Sequence, residues 1–170
     1  MKARSVLLVV LIVVVGGLHS GLARAQIVAL GASNVAGRGV DSSQAFPAKL
    51  EQMLAEKGYN VRVTNAGVNG DTNSGMLARL DQAVPDGTRI VLLGAIGGTW
   101  NARRLGLGDQ KAEYAAIAAK LRGRGIKVIP VTGHGIGRQY LQADRIHLSV
   151  EGHAALAAQL LPSVIAALRR

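Results

Sequence analysis

The sequence predicts a three-layer α/β/α sandwich built around a mostly parallel sheet of four to five strands, and three observations predict it. Short apolar runs alternate with segments of helical period in the order β-α-β-α-β-α-β-α, which right-handed crossovers turn into parallel strands between layers of helix. Glycine fills 22 of 170 positions with only four prolines and no G-X-Y period, so it marks tight strand-to-helix turns rather than collagen. Polar residues of catalytic type follow the strand ends, the edge at which open parallel sheets bind ligands.

Each element has its own warrant. Residues 26–31 (QIVALG) form a buried apolar strand ending in glycine. Over 44–57, Leu50, Met53 and Leu54 recur at helical spacing and Gly58 can end the helix. Residues 60–65 (NVRVTN) alternate as a second strand. A helix over 72–83 places Met76, Leu77 and Leu80 on one side, with Pro85 beyond its end. Residues 89–96 (RIVLLGAI) read as a third buried strand, followed by a polar loop at 97–101. A helix opens at Asp109 and runs through Tyr114, Ile117, Ala118 and Leu121 to Gly123. Residues 126–131 (IKVIPV) give a fourth strand, in which Pro130 marks an end or an edge. Ser149 caps a last helix reaching Leu168, with a kink expected at Pro162.

The N-terminus reads as a targeting segment. Lys2 and Arg4 precede an uncharged run from Ser5 to Leu18, and Ala23-Arg24-Ala25 has the small-x-small form of a cleavage site. Residues 1–25 are therefore expected to be a signal peptide and 26–170 a single domain, exported to the periplasm or beyond. The apolar run is short for a membrane span, which needs ~20 residues; an uncleaved N-terminal anchor is the alternative.

Composition narrows the chemistry. Half the chain is apolar (49%), enough for a core. The absence of cysteine removes disulfides, thiolate metal sites and a cysteine nucleophile. The formal charge of +10 comes from scattered residues, with 3% aromatics and no basic run, so nucleic acid is not the expected partner. Attraction to an anionic membrane surface stays open. Residues 31–38 lack the Gly-Lys-Ser/Thr ending of a phosphate loop, no dinucleotide fingerprint follows the first strand, and His147 and His153 show no metal-ligand spacing. No metal or organic cofactor is expected.

The polar residues at the strand ends suggest nucleophilic catalysis. Ser33 follows the first strand, where its hydroxyl would be displayed. Serine needs a base to take its proton, and His147 can act as one. Asp144, three residues earlier, can hold the second ring nitrogen and fix the tautomer. The Ser33 and Gly70 N–H groups and the Asn101 amide can face a developing oxyanion. Asn34, Thr99, Trp100 and His134 are candidates for lining the cleft, each with a plainer reading as a packing or loop residue.

Three stretches carry a family resemblance: Gly31-Ala32-Ser33 followed by Asn34-Val35-Ala36-Gly37; Asn65-Ala66-Gly67-Val68-Asn69-Gly70-Asp71-Thr72; and Asp144-Arg145-Ile146-His147 leading into Leu148-Ser149-Val150-Glu151-Gly152. Together they resemble the SGNH (GDSL-type) hydrolase superfamily, above all its small bacterial lysophospholipase, thioesterase and arylesterase members. The resemblance implies a flavodoxin-like sheet and a triad of Ser33, His147 and Asp144. It also implies oxyanion donors at Ser33, Gly70 and Asn101, no cofactor, and an ester or thioester substrate, small or lipid. The chain departs from the pattern in three places. Ala32 replaces an aspartate. Gly97-Gly98-Thr99-Trp100-Asn101-Ala102 stands where the family reads Gly-x-Asn-Asp, leaving Thr99 as an alternative to Asn101. Only twelve residues separate Val131 from Asp144. A weakly active or inactive binding protein of this fold, an acyl transferase or esterase acting on envelope carbohydrate, and a basic envelope protein binding anionic polymer are the other readings. Oligomeric state is left open.

Overall fold

The computed structural model describes residues 25–132 and 135–169. Four strands, β1 (Ala25–Gly31), β2 (Val61–Gly67), β3 (Thr88–Gly94) and β4 (Lys127–Pro130), form one wholly parallel sheet in the order β2-β1-β3-β4. This is the start of the doubly wound 2-1-3-4 order, in which the chain reverses direction across the sheet between β1 and β3. The expected α/β sandwich is the observed fold, with four strands. Pro130 closes β4, an edge strand, where its missing N–H costs no ladder bond.

Side chains alternate between the two faces, and each face has its own helices. Ile27, Ala29, Ile90 and Leu92 pack with Phe46, Leu50 and Leu54 of α2 (Phe46–Glu56) and Leu156, Leu160 and Val164 of α7 (Val150–Leu168). Val28, Leu30, Val91 and Leu93 face the other way. They meet Met76 of α3 (Asn73–Ala78), Leu80 of α4 (Leu80–Ala83), and Ile117 and Leu121 of α6 (Lys111–Gly123). Burying one such side chain contributes about 1.5–3 kcal/mol, so the two apolar layers hold the sheet from both sides.

Several elements differ from their sequence reading. The helix expected over 44–57 starts at Phe46, because Ser42–Gln44 forms a separate 3-10 turn and Pro47 favours the first helical turn. The 72–83 segment divides at Arg79 into α3 and α4. The third strand ends at Gly94 rather than at 96. The loop expected at 97–101 is helical, part of α5 (Ala95–Arg104), and tertiary bonds described below override the weak helix propensity of two adjacent glycines. Ser149 caps α7 as expected, accepting the Gly152 N–H at 3.2 Å. Pro162 lies inside that continuous helix.

Candidate active site

Three glycines create the place for Ser33. Gly31, Gly67 and Gly94 end β1, β2 and β3 and lie in one register row. The short helix α1 (Ser33–Ala36) rests directly on this row. A methyl group at Gly31 or Gly94 would collide with Val35 Cγ2, and one at Gly67 with the Ala36 backbone. Close backbone approach, rather than a turn alone, is thus what these strand-ending glycines supply. Ser33 is the first residue of α1, so its N–H lies outside the helix's own bonding. Ala32, where the family resemblance leads one to expect an aspartate, is buried among Val28, Leu30 and Met76 and offers no side-chain cap to α1.

The last loop brings the imidazole to this serine. His147 Nε2 lies 3.0 Å from Ser33 Oγ, and Nδ1 lies 2.5 Å from Asp144 Oδ2. Asp144 Oδ1 also accepts the Ile146 and His147 N–H groups at 2.9 and 3.0 Å. Its hydrogen bond to the His147 ring first, then the two backbone donors, hold the Asp144 carboxyl well below the usual carboxylate range. An ionised carboxylate only accepts, so Nδ1 of His147 donates and Nε2 is left with its lone pair toward the Ser33 hydroxyl. Between them Arg145 adopts φ 57°, a left-handed conformation that a side chain adopts at some cost and that turns both N–H groups onto one carboxylate oxygen.

The other residues singled out in the sequence take distinct positions. Asn34 borders the cleft, but its amide is committed to the loop that carries Asp144 and His147: Nδ2 donates to the Ile146 carbonyl at 3.2 Å and Oδ1 accepts the Leu148 N–H at 2.9 Å. Gly70 sits in a turn closed by the Asp71 N–H donating to the Val68 carbonyl, with φ 78° and open space where a side chain would be. Asn101 lines the cleft on α5 and donates one Nδ2 hydrogen to the Asp71 carbonyl at 2.7 Å, leaving its second. Thr99, two residues earlier and so on nearly the opposite face of α5, accepts from Asn73 Nδ2 at 3.0 Å and lines a separate cavity of about 190 Å³ with Lys111 and Tyr114. Trp100 forms part of the cleft wall with Arg104 5.0 Å above its ring. His134 lies outside the described residues.

Sequence reasoning missed the residues that hold this edge together. Arg79 pairs with Asp71 at 2.7 Å and donates to the Ala66 and Gly31 carbonyls. Buried Asn73 donates to Thr99 Oγ1 and to the Gln110 carbonyl, anchoring α5 and the chain before α6 to α3. These partners lie far apart in sequence, although the polar residues among apolar ones in 71–79 were a visible signal.

The cleft, about 370 Å³, opens over Ser33 at the β1–β3 switch point. Ala32, Ser33 and Gly94 form its floor, and Phe46, Ile136, Leu141, Leu148 and Leu156 give it an apolar wall. Among the described residues no group of three metal-ligating side chains occurs.

The sequence matches the GDSL-like lipase/acylhydrolase family over residues 29–136. The chain belongs to that family. The matched region contains Ser33, Gly70 and Asn101 and stops short of Asp144 and His147. Esterase TesA of Pseudomonas aeruginosa is 34% identical over 103 residues, covering 61% of this chain and 51% of that protein, so the matched segment spans about half of this relative's length. A crystal structure of TesA superposes with TM-score 0.73 and 25% identity, covering 84% of this chain and 99% of that one. The psychrotrophic esterase EstA of a Pseudoalteromonas species, in a structure inhibited by monoethylphosphonate, has TM-score 0.72 at 16% identity over 85% and 99% of the two chains, a likeness of fold.

Proposed function

We propose that this protein is an exported serine hydrolase that cleaves carboxylic ester or thioester bonds through an acyl-enzyme. The observation that carries this reading is the continuous relay from Asp144 Oδ2 through His147 to Ser33 Oγ, with 2.5 and 3.0 Å links, at the floor of a mostly apolar cleft. Membership of the acylhydrolase family and the likeness to TesA support the same chemistry.

Ser33 Oγ attacks the substrate carbonyl while its proton passes to His147 Nε2. Asp144 stabilises the imidazolium on the opposite nitrogen. The carbonyl oxygen becomes an oxyanion and takes hydrogen bonds from the Ser33 N–H, the Gly70 N–H and the second hydrogen of Asn101 Nδ2. The intermediate collapses, His147 gives its proton to the departing alkoxide or thiolate, and the acyl group stays on Ser33. Water then attacks that ester, His147 taking its proton and returning it to Ser33 Oγ as the acid leaves. The apolar wall from Phe46 to Leu156 suits the acyl part of the substrate.

Export rests on the basic, apolar and small-x-small order of residues 1–25. Cleavage after Ala25 would leave Gln26–Gly31, nearly all of β1, in the mature domain. N-terminal sequencing of the protein recovered outside the cytoplasm is expected to begin at Gln26; an intact Met1 there would support the uncleaved anchor.

The central test is a panel of p-nitrophenyl esters and acyl thioesters turned over by the wild type and by Ser33→Ala, with a fluorophosphonate label. Turnover and labelling are expected in the wild type and neither in a folded Ser33→Ala protein. Equal turnover by both proteins would remove Ser33 as nucleophile. A folded wild type that neither turns over nor labels would favour a binding protein.

A further inference from the structure

Large apolar side chains left exposed on this domain gather at one edge. Among the described residues they are Val68, Trp100, Leu105, Leu107 and Ile146. Val68 follows β2, and Trp100 lies on α5, which begins directly after β3. Leu105 and Leu107, 65% and 56% exposed, follow α5 and are fixed to it by their N–H groups donating to the Asn101 and Ala102 carbonyls. Ile146 stands in the loop that carries His147. Val68, Trp100 and Ile146 follow strands or sit in the loop that meets Ser33, at the carboxyl end of the sheet; Leu105 and Leu107 belong to the stretch from α5 to Gln110, whose carbonyl Asn73 holds beside the same edge, and Trp100 and Ile146 themselves border the cleft. Single exposed apolar residues are ordinary, but a group on one edge, two of whose members border a cleft, calls for a partner.

The charges around this group choose the partner. Arg103 and Arg104 stand at the end of α5, immediately before Leu105, and exposed Arg145 precedes Ile146. Among the described residues none of these three arginines is in an ion pair. The carboxylates of the same edge are engaged: Asp109 with Lys111 at 3.1 Å, Asp71 with Arg79, and Asp144 with His147. Exposed leucines, a tryptophan with an arginine over its ring, and unpaired arginines beside them are the elements of an interfacial anchor: the apolar tips enter the acyl boundary and the guanidinium groups meet phosphate.

We propose that this rim docks the protein onto an anionic phospholipid bilayer, with Trp100, Leu105, Leu107 and Ile146 inserted and Arg103, Arg104 and Arg145 on the headgroups. Docking in this orientation sets the cleft mouth against the lipid surface, so an acyl chain passes from bilayer to cleft without crossing water. The proposal concerns binding and stands apart from the hydrolytic reading, since none of its anchoring residues belongs to the Ser33 relay.

The test uses the protein as the expressing cell processes it, carrying Ser33→Ala so that no lipid is consumed. It is mixed with vesicles of phosphatidylcholine alone and with vesicles containing equal parts of phosphatidylglycerol. Trp100 is the sole tryptophan of the sequence, so its emission reports insertion directly. Sedimentation with the anionic vesicles and a blue shift of Trp100 emission are expected, both suppressed by high salt. An arginine near such a surface strengthens partitioning about fivefold, so Arg103→Gln with Arg104→Gln should weaken it roughly 30-fold. Leu105→Ser with Leu107→Ser should abolish the emission shift while leaving weak, salt-sensitive association. Equal binding to both vesicle types, no binding, or anionic binding unchanged by the arginine pair would overturn the proposal. So would a dimer in solution that the leucine pair dissociates, because a second copy would then be what covers the rim.

Discussion

Arg79 grips Asp71 with Nε at 2.9 Å and Nη2 at 2.7 Å, and the same guanidinium reaches the carbonyls of Ala66 at 2.9 Å and Gly31 at 3.4 Å. Asp71 in turn gives its own carbonyl to Asn101. One side chain thereby ties the ends of β1 and β2 to the helix that follows β3. Removing a partner from a largely buried ion pair leaves an uncompensated charge, which costs about 3–5 kcal/mol. Arg79→Met is expected to lower stability by that order, measured by urea unfolding. Arg79→Lys should recover only part of it, because an ammonium cannot span a carboxylate and two carbonyls as the planar fork does. A stability loss no larger than that of an exposed arginine would show that the pair is dispensable.

Asn34 offers a cleaner test of positioning. Its two bonds, to Ile146 and Leu148, hold both sides of His147 against the helix that begins with Ser33. Asn34→Ala removes them without touching the Asp144–His147–Ser33 contacts. Misplacing a reacting group by about 1 Å can cost about 10²-fold in rate. A fall in kcat of that order is expected, with KM nearly constant because the apolar cleft wall is unchanged. An equal fall in kcat and rise in KM would point instead to a substrate contact at position 34.

These two residues also mark the limit of what was legible in the sequence. The alternation of parallel strands with helices follows from apolar periodicity, and Ser33, Asp144 and His147 stand out as polar residues after strand ends and in stretches that resemble a known family. Those are local patterns. The order of the strands across the sheet does not follow from periodicity. Asn34 and Arg79 reach backbone atoms of other segments, 112 positions away in the bond from Asn34 to Ile146; a polar residue among apolar ones can mark such a side chain, but no local pattern names its partners. The helix α5 was hidden for a related reason. Gly97 and Gly98 argue for a loop, while the anchors from Asn73 to Thr99 and from Asn101 to Asp71, with the packing of Gly98 on Asn73 and Met76, stabilise helical backbone there. The glycine row was visible as strands ending in glycine, but its use as a floor for α1 depends on the register between strands.

Asn101 and Thr99 lie two residues apart but in different surroundings. Asn101 lines the cleft with a spare amide hydrogen, while the Thr99 hydroxyl is engaged by Asn73 and faces the smaller cavity. Asn101→Ala is expected to lower kcat about 10²–10³-fold, the scale of one oxyanion donor. Thr99→Ala should leave kcat nearly intact and cost about 1–3 kcal/mol of stability, because the buried Asn73 amide loses an acceptor. Kinetics with one good ester and unfolding curves of the same two proteins measure both effects. The reverse pattern would assign the donor to position 99.

His153 gives the fold a defined sensitivity to acid. It is buried between α2 and α7, its ring stacked on Phe46, with Nδ1 accepting the Phe46 N–H at 3.2 Å. That bond places the proton of the neutral ring on Nε2, which has no partner among the described residues. Burial pushes the imidazole down from its ordinary 6.5 to about 4. The unfolded chain therefore takes up a proton at this residue below pH 6.5, while the folded chain stays neutral until about pH 4. Unfolded protein binds more protons across that window, so stability falls as pH falls through it and levels off below. His153→Gln keeps an acceptor for Phe46 N–H and removes the titration. The wild type is expected to lose roughly 2–3 kcal/mol more than His153→Gln between the two ends of the window, read from urea unfolding at each pH. Parallel profiles for the two proteins would mean that the His153 ring takes its proton in the folded state as readily as in the unfolded chain.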